Sequence, residues 1–179
     1  MEDDLPEEFR VRKTLMIEEV DRAFRGVSRV GGISWRETAV VEWSGSDEER
    51  AQARAEDAES RWRDLVDDAS WTPWYAQGWS FLDPIGFRYY LPVAMVRSLQ
   101  SGHDEGIVFW LTLPSGLPKA PSFREHALKR WSALNAEQRV CVRHFLESML
   151  ALAELQPSQY RSIEAEPWQK ALASHWAEA

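Results

Sequence analysis

Asp83-Pro84-Ile85-Gly86-Phe87-Arg88-Tyr89-Tyr90-Leu91-Pro92 is the stretch that decides the fold. Asp at a helix N-cap accepts an orphan backbone N–H, and a proline directly after it has no N–H to leave unsatisfied. The segment therefore opens a helix through Gly86, Phe87 and Arg88. Pro92 removes one backbone hydrogen bond, which predicts a kink or a division near 88–91. A second piece then runs through Val93, Met95, Val96 and Leu99 to Gly102. Upstream, Trp71, Trp74, Tyr75, Trp79 and Phe81 join Phe87, Tyr89 and Tyr90 in one aromatic block. Pro73 after Thr72 suggests a short helix over 73–78, ended by Gly78.

Working toward the N-terminus, Ser46-Asp47-Glu48-Glu49 has the form of a capping box, with three carboxylates in the first helical turn. The stripe Ala51, Ala55, Ala58, Trp62 and Leu65 extends that helix to about Val66. Ser34-Trp35-Arg36-Glu37 is a second capping box. The residues after it, 38–43, are β-branched enough for a strand, although the cap favours a short helix. Ile17, Val20, Phe24 and Val27 mark a helix over 13–27.

Toward the C-terminus, Ile107-Val108-Phe109-Trp110-Leu111-Thr112-Leu113 has the content of a buried strand, flanked by Gly and Pro. A lone strand is unstable, so it needs a partner near Val40 or on a second chain. A short helix is expected over 123–131. Asn135-Ala136-Glu137-Gln138 caps a strong helix over 136–155, which Pro157 stops, and a last helix covers about 166–177. The expected fold is mostly α: a single compact multi-helix domain of six to eight helices, with at most a short β element around 107–113. Residues 1–155 form the helical domain, with 1–12 as a candidate flexible leader. Residues 156–179 form a helical extension packed on or near it.

Composition narrows the function. The chain has 179 residues, 44% hydrophobic and 28% charged, with ten Trp and a net charge of −8. Residues 1–70 hold 19 Asp and Glu against 11 Lys and Arg, so the whole excess lies there. Such a surface repels phosphate backbones and attracts a basic partner, so nucleic acid is not expected. The one cysteine excludes an internal disulfide framework. No apolar run is long enough for a membrane span. The acidic N-terminus lacks a signal-peptide pattern, so a cytoplasmic location is expected.

Gly31-Gly32-Ile33-Ser34, Glu37, Gly45-Ser46-Asp47-Glu48-Glu49-Arg50, Ala53-Arg54, Trp62 and the run from Ser80 to Pro92 resemble an uncharacterised bacterial domain-of-unknown-function family. Its members share a Phe-Leu-Asp-Pro-x-Gly-Phe-Arg-Tyr-Tyr-Leu-Pro block, and Ala136-Glu137-Gln138 looks like a later helix start in them. The resemblance covers roughly 13–155 and implies a small, helical, soluble domain. It carries no activity over. Trp43 and Ser44 depart from it, and the tail after Pro157 stands apart.

The sharpest candidate is Arg88 between Phe87 and Tyr89-Tyr90. A guanidinium among rings binds carboxylate or phosphate well, because its fork is planar and the rings exclude water. The structural alternative is an internal tether to Asp83, Asp64 or freed carbonyls. Trp71, Trp74 and Trp79 are either core or an exposed binding patch. His103-Asp104-Glu105 lacks further metal ligands, Cys141 reads as a small core residue with His144 one turn on, and Ser34 and Ser46 read as caps. There is no nucleophile elbow, phosphate loop or dinucleotide fingerprint. No metal and no cofactor is expected.

The leading expectation is a non-catalytic protein-binding module, inhibitor- or immunity-like in one version, whose acidic N-terminal half faces a basic partner. Its binding residues would be Arg88, Tyr89, Tyr90, Trp71, Trp74 and Trp79. One alternative is a small-anion-binding protein or enzyme with an Arg/aromatic pocket around Arg88. Another is a structural subunit of an oligomer that pairs through 107–113.

Overall fold

A computed structural model describes residues 7–72, 76–114, 120–155 and 158–178. Within them the chain is helical, with no strand. The helices are α1 (Glu7–Ala23), α2 (Trp35–Glu42), α3 (Asp47–Glu56), α4 (Ala76–Phe81), α5 (Pro84–Ser101), α6 (Ala120–Trp131), α7 (Ala136–Glu154) and α8 (Ser158–Ser174). Short 3₁₀ turns cover Trp62–Leu65, Val108–Leu111 and Trp176–Glu178.

α5 is the hub. Asp83 caps it as expected: its Oδ1 accepts the N–H of Gly86 at 2.9 Å and that of Ile33 at 2.8 Å, which ties the loop before α2 to the start of α5. The helix then runs as one element through Pro92, where a kink or a division was expected, so it is not divided there. Every residue from Tyr89 to Val96 is buried, and α1, α6 and the turn at Trp62–Leu65 pack against α5. Apolar burial on several sides outweighs the one missing hydrogen bond, a loss of about 3 kcal/mol in a solvated helix. α7 lies between α1 and α8, while α2 packs on α3 and α4.

Other boundaries also move. The helix after Ser46 stops at Glu56 instead of Val66, because Asp57 leaves helical geometry and turns its carboxylate to the N–H of Arg36 at 2.9 Å. Trp62 is then carried in a separate turn and donates its indole N–H to the Phe24 carbonyl at 3.0 Å. α1 begins earlier and ends earlier than 13–27, and its Ala23 carbonyl is taken by Gln138 Nε2 at 3.1 Å. α4 contains Gly78 instead of ending there; a Cβ on Gly78 would meet the Trp35 ring at 3.0 Å. Pro73, Trp74 and Tyr75 lie outside the described residues. α6 starts at Ala120, and α8 starts at Ser158 and passes through Pro167.

Residues 107–113 are not a strand. Asp104 Oδ1 accepts the N–H groups of Ile107 at 2.8 Å and Val108 at 3.1 Å, which bends the chain into a 3₁₀ turn. The carbonyls that a sheet would have paired accept indoles instead: Trp110 from Trp131 at 3.2 Å, and Leu111 from Trp176 at 2.7 Å. Leu113 donates its N–H to Ser174 Oγ at 3.1 Å. A buried backbone group needs a partner, not a particular kind of partner.

Candidate functional site

The acidic first third of the chain builds a cleft of about 570 Å³ at the start of α2. The α2 N-terminus brings orphan backbone donors, and distant side chains satisfy them. The Trp35 N–H donates to the Tyr90 hydroxyl at 2.8 Å, and the Arg36 N–H donates to Asp57. The Glu37 side chain accepts the Ser34 N–H at 3.1 Å, so the Glu half of the capping box forms. The Ser34 hydroxyl is buried without a partner among the described residues.

Glu37 fastens α2 to α3. Its carboxylate is 0% exposed and receives Arg54 Nη2 at 2.6 Å, Arg54 Nε at 3.0 Å and Arg50 Nε at 3.1 Å. Burial pushes its pKa up. The hydrogen bonds from Arg54, the Ser34 N–H and Arg50 outweigh that and hold it below the ordinary carboxylate value.

The cleft walls are Trp35, Trp71 and Leu65 together with Glu42, Glu56, Asp57, Glu59 and Asp68; the guanidinium lining it is that of Arg36. Trp35 packs against Trp71 at 5.0 Å between ring centroids and against Tyr90 at 5.3 Å, and Trp71 stacks on Tyr90. Arg97 holds the Trp71 wall: Nη1 donates to the Trp71 carbonyl at 2.7 Å, with the guanidinium 5.6 Å from that ring. Glu59 meets Arg29 Nε at 3.1 Å and accepts the Tyr90 hydroxyl at 3.3 Å. Burial nevertheless pushes its pKa up, past the opposing pull of Arg29. At the cleft edge Trp43 is 81% exposed, a large indole surface left in water.

The residues singled out in the sequence fall in different places. Tyr90 is buried beneath the cleft and Trp71 forms its wall, whereas Trp79 and Tyr89 are buried in the core. Trp74 lies outside the described residues. Arg88 is half-buried, has no ion pair among the described residues, and lines none of the cavities described here. The guanidinium set among aromatic rings is that of Arg130, which periodicity did not mark. It lies 5.4 Å from the Phe87 ring centroid and 5.0 Å from that of Trp110, and Nη1 donates to the Trp79 carbonyl at 2.6 Å. Trp35 and Trp43 were also missed as a pair; their signal was two indoles flanking one eight-residue helix beside a run of carboxylates. No helix among the described residues is long and apolar enough to cross a membrane.

No curated protein and no solved structure matches the chain. A family model does match residues 12–179. It takes in the tail after Pro157, which therefore does not stand apart from the family as the sequence reading had it. The chain belongs to DUF6714, a family of unknown function.

Proposed function

We propose that this protein is a non-catalytic protein-binding module, inhibitor-like in form, whose cleft at the start of α2 receives cationic side chains of a basic partner in the cytoplasm. One observation carries the reading: five carboxylates and a single guanidinium line a cleft walled by the indoles of Trp35 and Trp71. Carboxylates supply long-range attraction and hydrogen-bond acceptors for Lys or Arg. Indole faces add cation–π attraction and exclude water. The exposed Trp43 at the edge supplies the apolar contact that interface hot spots use.

The test is a titration of the full chain with an oligo-arginine peptide, followed by tryptophan fluorescence at two salt concentrations. Binding that weakens with salt, and that falls about tenfold or more in a Glu42→Lys/Glu56→Lys variant with unchanged circular dichroism, supports the reading; a tenfold loss is about 1.4 kcal/mol. An affinity equal in wild type and variant, or no binding at low salt, defeats it.

A further inference from the structure

Arg130 is 3% exposed and has no acidic partner among the described residues. Nη1 donates to the Trp79 carbonyl, while Nε is buried with no partner among the described residues. A buried cation is normally paired with an anion, because burial strips its hydration. Here burial pushes the guanidinium pKa down to about 10. The same charge reaches His126, whose pKa burial and Arg130 together lower.

Arg130 lies in the wall of a cavity of about 610 Å³, between α6, α8 and residues 107–114. Most of the remaining wall is apolar, with Phe109, Trp110, Leu113 and Phe123; Ser80, Thr112 and His126 also line it. Phe109 is 69% exposed and Phe123 50%, so two phenyl rings are left in water around one buried positive charge. Glu166 and Lys170, both exposed, stand four residues apart on α8 and balance one another at the rim. The volume and lining are those of a small-molecule site.

We propose that this cavity binds a small amphiphilic monoanion, an apolar body with a terminal carboxylate, whose charge pairs with Arg130 while its body lies against Phe109, Trp110, Leu113 and Phe123. A carboxylate against the Arg130 wall supplies the missing counter-charge. The apolar body covers the exposed rings. A polyanion such as a nucleotide fits poorly, because among the described residues the other lysine or arginine in the lining, Lys170, stands beside Glu166 and leaves little net positive charge for further phosphates. The site is separate from the acidic cleft, and the two share no lining residue.

The experiment is calorimetric titration of the full chain with octanoate, octanol and octylamine, which share a chain length and differ in charge. Octanoate is expected to bind at least tenfold more tightly than octanol, and octylamine not to bind. Arg130→Leu should bring octanoate down to the octanol affinity with the fold intact by circular dichroism. Phe123→Asp, on the half-exposed rim, should weaken octanoate and octanol alike. Equal affinities of wild type for octanoate and octanol, tighter binding of octylamine, or undiminished octanoate binding by Arg130→Leu would overturn the proposal. Should Arg130→Leu not fold, the three-ligand comparison on wild type still decides.

Discussion

The Tyr90 hydroxyl accepts the backbone N–H of Trp35 at 2.8 Å and donates onward to Glu59 at 3.3 Å. One phenol thus joins the buried hub helix, the first turn of α2 and the wall of the acidic cleft. Tyr90→Phe keeps the ring stacked on Trp71 but leaves the Trp35 N–H without an acceptor. The expected loss is about 1–3 kcal/mol of unfolding free energy, read from urea denaturation. Unchanged stability would show that α2 does not depend on this bond.

Glu37 makes the protein acid-sensitive. Its pKa in the folded state is lowered below the ordinary 4.5. Its stabilising effect is therefore complete above the unfolded-state value and is lost as pH falls through the folded-state value. In Glu37→Gln, stability at neutral pH should fall by about 1–3 kcal/mol through loss of charge-assisted bonds to Arg50 and Arg54. The acid-induced drop that begins near the ordinary carboxylate value of 4.5 and continues below it should also become shallower. Urea midpoints measured across that range check both.

Gln138 gives a sharper result than an ordinary cap. Its Oε1 accepts the Asn135 N–H at 3.1 Å, while its Nε2 donates to the Ala23 carbonyl at the end of α1. Glutamate serves equally well in an isolated capping box. Here Gln138→Glu would point a carboxylate oxygen at a carbonyl in a buried site, so we expect a loss of about 1–3 kcal/mol. A peptide spanning 133–155 should keep its helicity on the same change. A destabilised peptide would mean that the effect is local and that the link to α1 is not its cause.

Gly86 sits where the α5 start meets the loop before α2. A Cβ there would lie 2.4 Å from the Ile33 carbonyl oxygen, a backbone atom held in place by Asp83. Gly86→Ala should lower stability by about 1–3 kcal/mol despite the better helix propensity of alanine, measured as a fall in Tm.

The caps were legible in the sequence because each is a local bond. Ser34/Glu37, Ser46/Glu49, Asp83 and Asn135/Gln138 each stand at the start of an observed helix. Helix ends and the 107–113 segment were not legible, since distant residues set them. Glu56 ends α3 because Asp57 is needed at α2, and 108–111 coils because Trp131 and Trp176 reach its carbonyls. The excess of acidic residues was visible, but its gathering around Trp35 and Trp71 was not, because it depends on Asp57 and Glu59 leaving a helix that the alanine stripe continues to about Val66. Arg88 drew attention as an arginine set among aromatics in sequence. In space that place is taken by Arg130, from a helix more than forty residues further along the chain.

Binding of a basic peptide in the acidic cleft should weaken under mild acid, before ordinary carboxylates titrate. Burial raises the Glu59 pKa above the ordinary 4.5, so it is the cleft carboxylate that takes up a proton first as pH falls. Asp68, held down by its bonds from Ser70, keeps its charge further into acid. Each neutralised carboxylate removes one attractive charge, and a peptide cation would compete with the proton for Glu59. Oligo-arginine affinity should therefore begin to decline, as pH is lowered, before pH reaches the ordinary carboxylate value of 4.5. Glu59→Gln should bind more weakly at pH 7 and lose that pH dependence. A decline of the same size in Glu59→Gln would assign the titration to another group and show that Glu59 does not face the bound cation.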